Sequence, residues 1–135
     1  MAIVTTQGRK INLNSLSAQA YVDLSSLQYC AVAPTGGATG KMEITTPSGQ
    51  GVLTIGILQT YDCDEDEQGE VVTFGVSKAI ADATFSAGVE LTTSGADGKL
   101  DDAASGDYVI AIALEAATAA DQQVTVLVVS PYQKN

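Results

Sequence analysis

Histidine and tryptophan are absent from the 135 residues, aromatic side chains make up 5% of them, and cysteine occurs only as Cys30 and Cys63. Each shortage removes a class of function. Without histidine the chain lacks the commonest general base, the usual activator of a serine or cysteine nucleophile, and the most frequent transition-metal ligand. Two cysteines cannot frame a disulfide scaffold. A chain of this length, able to bury about 68% of the surface that its unfolded form exposes, does not need one. Reduced, buried thiols are expected at both positions. Six Lys and Arg stand against sixteen Asp and Glu, a net charge of −10, so neither nucleic acid nor an anionic membrane is a suitable partner. No run approaches the roughly 20 apolar residues of a membrane-spanning helix. The residues before the peptidase-like "AQA" at Ala18 to Ala20 are too polar for an export signal.

What is present divides unevenly along the chain. Residues 1–26 hold Arg9 and Lys10, many Asn, Gln, Ser and Thr, and scattered apolar positions at Ile3, Val4, Ile11, Leu13 and Leu16. This composition suits an extended arm that orders against another surface, with a frayed or helical terminus as the alternative. Residues 27–135 read as strands separated by Gly-rich turns such as "TPSGQG", "SGADG" and "ASGD". In "EVVTFGVS" the bulky Val72, Phe74 and Val76 share one face of a single strand. In "DYVIAIAL" Tyr108, Ile110, Ile112 and Leu114 are bulky on one side, while Val109, Ala111 and Ala113 are small on the side that meets a close neighbour. Leu53, Ile55 and Ile57 alternate in "VLTIGIL", and Val124, Val126 and Val128 alternate in a last strand covered on both faces. "LEAATAAD" has high helix propensity but follows a strand directly, so a strand end and loop are expected. The fold class is all-β, a small barrel or sandwich of about eight short strands with an extended N-terminal arm.

The chemical motifs mostly dissolve on inspection. "YDCDEDEQGE", residues 61–70, places five acidic residues between Asp62 and Glu67. Asp62, Asp64 and Asp66 match the first three ligand positions of an EF-hand loop, but Glu67 stands where the turn glycine is needed and Thr73 where the bidentate Glu belongs. A solvated loop before a strand is the preferred reading, with a weak, irregular Ca²⁺ site at those three Asp residues as the alternative. "TGGATGK", from Thr35 to Lys41, lacks the first glycine and the final Ser or Thr of a phosphate-binding loop, and is a glycine-rich loop. "GVSKA" lacks the last glycine of a nucleophile elbow, leaving Ser77 a strand-end residue. Asp101 and Asp102 lie in a hairpin-like loop without the aromatic platforms of a glycosidase cleft. No catalytic group and no cofactor is expected.

From about residue 52 to 130 the pattern becomes more specific. A strand with glycine precedes "GEVVTFGVSKA", and a later strand runs into "ALEAA" at Ala113 to Ala117, followed by the valines of Val124 to Val128. This succession resembles the small decoration, or cement, proteins of tailed-phage heads. The resemblance implies a compact β-rich domain without enzymatic activity, added to the outside of the capsid shell to brace it against internal pressure. It also implies a location on the virion exterior after synthesis in the host cytoplasm. The partners would be the major capsid protein and neighbouring copies of itself, as a homotrimer. The arm residues Ile3, Val4, Arg9, Lys10, Ile11, Leu13 and Leu16 are then candidates for capsid or inter-subunit contact, a role read from their composition. Another virion or cell-surface β-module, such as a head-fibre base or a carbohydrate-binding domain, is the alternative, and a metal-dependent hydrolase built on the acidic run ranks third.

Overall fold

The computed structural model describes residues 14–35 and 40–135, and there is no helix among them. Ten strands follow in chain order: β1 (Ser15–Ala20), β2 (Ala31–Pro34), β3 (Glu43–Thr45), β4 (Gly56–Leu58), β5 (Gln68–Val72), β6 (Gly75–Ile80), β7 (Glu90–Thr93), β8 (Leu100–Asp102), β9 (Tyr108–Ala113) and β10 (Gln123–Gln133). The order β1-β3-β2-β4-β5 closes into a barrel, and β6-β10-β9-β7-β8 forms a five-stranded sheet. The all-β expectation holds, with ten strands in place of about eight.

The barrel pairs its strands antiparallel except for β1 with β3. Its interior is narrow, and alternate positions on β1 meet it with small side chains, Ala18 and Ala20, against Val32, Ile44, Leu58, Cys63 and Val71. Leu24 joins this core and bridges Cys63. Residues 15–20 lie inside the span read as an extended arm, yet they form a strand of the barrel wall. Five consecutive pairs, from Ser15 with Val72 to Gln19 with Gln68, bind β1 to β5.

The sheet nearly closes as well. Just past β6, Ala81 bridges Leu100 of β8, and the Asp82 N–H donates to the Leu100 carbonyl at 2.8 Å. The enclosed space is filled by Ala79, Ala81, Leu91, Ala111, Ala113, Val124, Val126 and Val128. The small face of β9 is buried throughout, whereas the bulky face is buried at Ile110 and only half-buried at Tyr108 and Ile112. "LEAATAAD" is a loop, as its position after a strand requires, and Ala117 within it exchanges two backbone hydrogen bonds with Phe85, at 2.9 and 3.1 Å.

Three local expectations are corrected. "EVVTFGVS" is two strands in different units: β5 ends at Val72 in the barrel and β6 begins at Gly75 in the sheet. Gly75 has φ +112°, a conformation open to glycine, and the chain changes units there with the parity of the alternation kept. Phe74 and Val76 face out at 54% and 67% exposure, while Ser77 and Ala79 face in. Ser77 is a mid-strand residue whose hydroxyl accepts from the Gln59 amide and donates to the Lys78 carbonyl, each at 2.8 Å. Asp101 and Asp102 lie on β8, paired with Thr92 and Leu91, and the turn precedes them.

Barrel and sheet meet backbone to backbone. The Ala31 N–H donates to the Gly98 carbonyl at 2.8 Å, and a methyl group at Gly98 would overlap the Ala31 backbone. Gly98 also has φ +77°. Gly98→Ala therefore combines a left-handed conformation with a clash that only movement of the barrel relieves, a loss on the order of 3 kcal/mol. Gly106 has φ +92° and open space around it, so Gly106→Ala should cost only about 1 kcal/mol. Urea unfolding of the two variants checks the difference; equal losses would mean that the close approach contributes nothing.

Candidate functional site

The acidic run is the exposed connection from β4 to β5. Asp62, Asp64, Glu65, Asp66 and Glu67 are all exposed, whereas Cys63 between them is buried in the barrel. Asp62 and Asp66 take positive φ, of 55° and 72°, which Asp tolerates better than most residues. The loop is held through its backbone: the Asp66 N–H donates to the Ala20 carbonyl at 2.8 Å, and the Ala20 N–H donates to the Glu67 carbonyl at 2.8 Å. Glu67 turns its carboxylate inward to accept from the Asp64 N–H at 2.8 Å. Among the described residues no group of three or more Cys, Asp or Glu side chains converges as a metal site. The Asp64 carboxyl is held above the usual Asp range, chiefly by the Asp62 carboxylate beside it, then by desolvation and Glu67.

The arm candidates Ile3, Val4, Arg9, Lys10, Ile11 and Leu13 lie outside the described residues. Leu16 is on β1, half-buried against the barrel core.

The surface that sequence reasoning missed is the outer face of the sheet. Register places Val76 of β6, Leu127 of β10 and Ile112 of β9 in one row, which ends at Glu90 of β7. The next row holds Lys78 beside Thr125, whose carbonyl accepts from the Leu114 N–H at 3.0 Å. Val76 is 67% exposed and Leu114 48%, with Leu127 and Ile112 half-buried between them. Lys78 donates to the Thr125 hydroxyl at 3.1 Å, while the ion pairs among described residues are those of Lys99 and Lys134. An apolar stripe with a lysine in its midst thus sits on a chain of strongly negative charge. Alternation around Val76 and Leu114 was visible in the sequence; which face pointed outward was not.

At the end of this face, where β5 hands over to β6, a groove of about 600 Å³ opens. Leu53, Ile55, Phe74 and Pro131 give it apolar walls, and Thr54, Thr73 and Ser130 add hydroxyls. Thr54 is fully buried and its hydroxyl has no hydrogen-bond partner among the described residues. The Asn14 carbonyl lies at the groove's rim, accepting from the Thr73 N–H at 2.8 Å and from the Phe74 N–H at 3.4 Å.

Comparison with known proteins adds to this geometry. The phage cement protein family matches residues 11–129. Among solved structures, the head fibre gp8.5 N base of bacteriophage phi29 is similar with a TM-score of 0.65 and 21% identity, over 90% of this chain and 98% of that one. At that identity the likeness shows a shared fold. No curated protein matches the chain.

The electrostatics of the acidic loop carry a pH prediction. A carboxyl whose folded pKa is raised binds its proton more tightly in the folded state. Ionised Asp64 therefore works against the fold above its folded pKa, and the penalty is relieved as pH falls through that value. Asp62→Asn should lower the Asp64 pKa toward 3.8, read from carboxyl carbon shifts across an NMR titration; an unmoved Asp64 would refute the assigned cause. The thiols carry a second. Both cysteines are free and buried, and burial pushes the Cys30 thiol up to about 11. A thiol reagent at pH 8 should label neither in the native protein and both in urea, whereas rapid native labelling would contradict the packing.

Proposed function

The chain belongs to the phage cement protein family, a family of phage structural proteins, and from that premise we propose that it decorates the outer surface of the head shell and braces it against internal pressure. The observation that carries the reading furthest is the exposed apolar stripe of Val76, Leu127, Ile112 and Leu114. It lies on a sheet whose other side is the core, so its shape is fixed before contact. Burying an exposed Val or Leu side chain contributes about 1.5–3 kcal/mol, and a shell offers the same site many times. Lys78 in the stripe suits a carboxylate on the shell protein, while the net charge of −10 disfavours sticking to packaged DNA. The arm is the second proposed contact, made to a shell subunit or to a neighbouring copy within a homotrimer, through residues 1–13 rather than as far as residue 26.

The head-fibre base is the second reading, favoured by the likeness to the phi29 structure. Copy number separates the two, because a shell decoration is present in hundreds of copies per particle, whereas a fibre base is limited to the fibre positions.

Purified protein should co-sediment with particles that lack it, to a stoichiometry near the number of shell sites by quantitative mass spectrometry. Val76→Asp combined with Leu114→Asp is expected to weaken binding about a hundredfold or more, equivalent to about 2.8 kcal/mol, with the unfolding midpoint little changed because both side chains are exposed. Deletion of residues 2–12, which spares β1, should also weaken binding. Full binding by the double Asp variant would remove the stripe from the interface, and saturation at a few copies per particle would favour the fibre base.

A further inference from the structure

The turn between β7 and β8 carries the one Asp–Gly pair of the sequence, Asp97–Gly98, beside the contact that joins barrel to sheet. We infer that this pair is a site of self-modification: when the hairpin lifts from Ala31 it converts to isoaspartate, and the converted chain no longer re-forms the junction.

The chemistry needs only the two residues and water. A glycine nitrogen, with no side chain beside it to shield it, attacks the carboxyl carbon of the preceding aspartate. The new N–Cγ bond closes a five-membered imide as the carboxyl hydroxyl and the amide proton leave together as water. Water then adds back at either carbonyl of the imide. Opening at the side-chain carbonyl restores aspartate, whereas opening at the main-chain carbonyl leaves the backbone running through Cβ and Cγ of residue 97, one atom longer.

The sequence supplies the pair and the fold withholds it. The Asp97 side chain is 45% exposed, so water reaches it. Its Oδ1 accepts from the Lys99 N–H at 3.2 Å, and its Oδ2 lies 3.8 Å from the Lys99 ammonium. The Gly98 N–H donates to the Gly95 carbonyl at 3.2 Å, while the Gly98 carbonyl accepts from the Ala31 N–H at 2.8 Å. Lys99 is tied in turn to Asp121 at 2.6 Å, and its carbonyl accepts from the Ser94 N–H at 2.8 Å. Nucleophile and carboxyl are thus both engaged in the folded turn. The imide has no N–H, so forming it forfeits the bond to Gly95.

The product fails at the same place. A methyl group on Gly98 already overlaps the Ala31 backbone, and a longer backbone at the residue before it displaces Gly98 from its φ of +77° and from that contact. Conversion turns a reversible local opening into a permanent one. This holds whether or not the chain binds a head shell.

The test follows residue 97 in the full chain, kept for weeks in mildly acidic buffer with and without guanidinium chloride. Tandem mass spectrometry with electron-transfer fragmentation reads isoaspartate at that position. Conversion is expected in denaturant, and about tenfold or more slower in the folded protein. After dilution from denaturant, the chains that refold should be depleted of isoaspartate about tenfold relative to those that do not. Asp97→Asn keeps the shape of the side chain and releases ammonia in place of water, so the same protection should appear as a slower gain in mass. Asp97→Glu, whose ring closes far more slowly, should keep its refolding yield over the time in which the unsubstituted chain loses it. Equal conversion with and without denaturant overturns the inference. So does an absence of conversion in denaturant, or isoaspartate-containing chains that refold as well as the rest.

Discussion

Where the β7–β8 hairpin turns, Gly98 lies against the backbone of Ala31 so closely that no side chain fits between them. The rest of the architecture depends on that contact. It draws β2 of the barrel onto the sheet, so that Ala31 and Ile57 fill part of the sheet's core rather than the barrel's. Two more links lie nearby, the Ile80 N–H to the Tyr29 carbonyl at 3.1 Å and the Gln59 amide to the Ser77 hydroxyl at 2.8 Å. The chain itself passes between the units through only Thr73 and Phe74. Barrel and sheet therefore share one packed junction, and the groove beside it is a consequence of how they meet.

A second consequence concerns the outer face. The sheet's ends approach each other through Ala81 and Leu100, and its core takes alanine, valine and leucine together with Ile110, which leaves other apolar residues of the same strands on the outer face. Ile112 and Leu127 are half-buried there and Val76 is largely bare. Packing inside the sheet and an apolar surface outside it thus have one origin. The acidic run between β4 and β5 is a solvated loop pinned by its backbone. The same pinning seals Cys63 and Leu24 into the barrel.

Much of the fold was legible in the sequence. Alternation in residues 108–113 and 124–128 marked β9 and β10, the long strands at the centre of the sheet, and "ALEAA" was readable as loop because two helical turns cannot stand alone after a strand. Alternation gives a period but not a sign, and in β9 the small face is buried throughout while Ile110 of the bulky face is buried too. "EVVTFGVS" failed for a different reason. Gly75 lets the chain change sheets without any Pro or charged break, and the period-2 pattern runs through the change unaltered. β1 was hidden because its inward positions are Ala18 and Ala20, too small to register as a hydrophobic pattern. The contact surface was the least legible part, since it arises from strands distant in sequence, β6, β9 and β10, and is defined only by their pairing.

Single-particle electron microscopy of the assembled virion at side-chain resolution is the most direct test of the central claim. The account predicts density for the barrel and sheet at many equivalent positions on the outside of the shell, with Val76 and Leu114 covered by the shell protein and Lys78 near a carboxylate. Density with that stripe facing solvent, or confined to the bases of fibres, would contradict it.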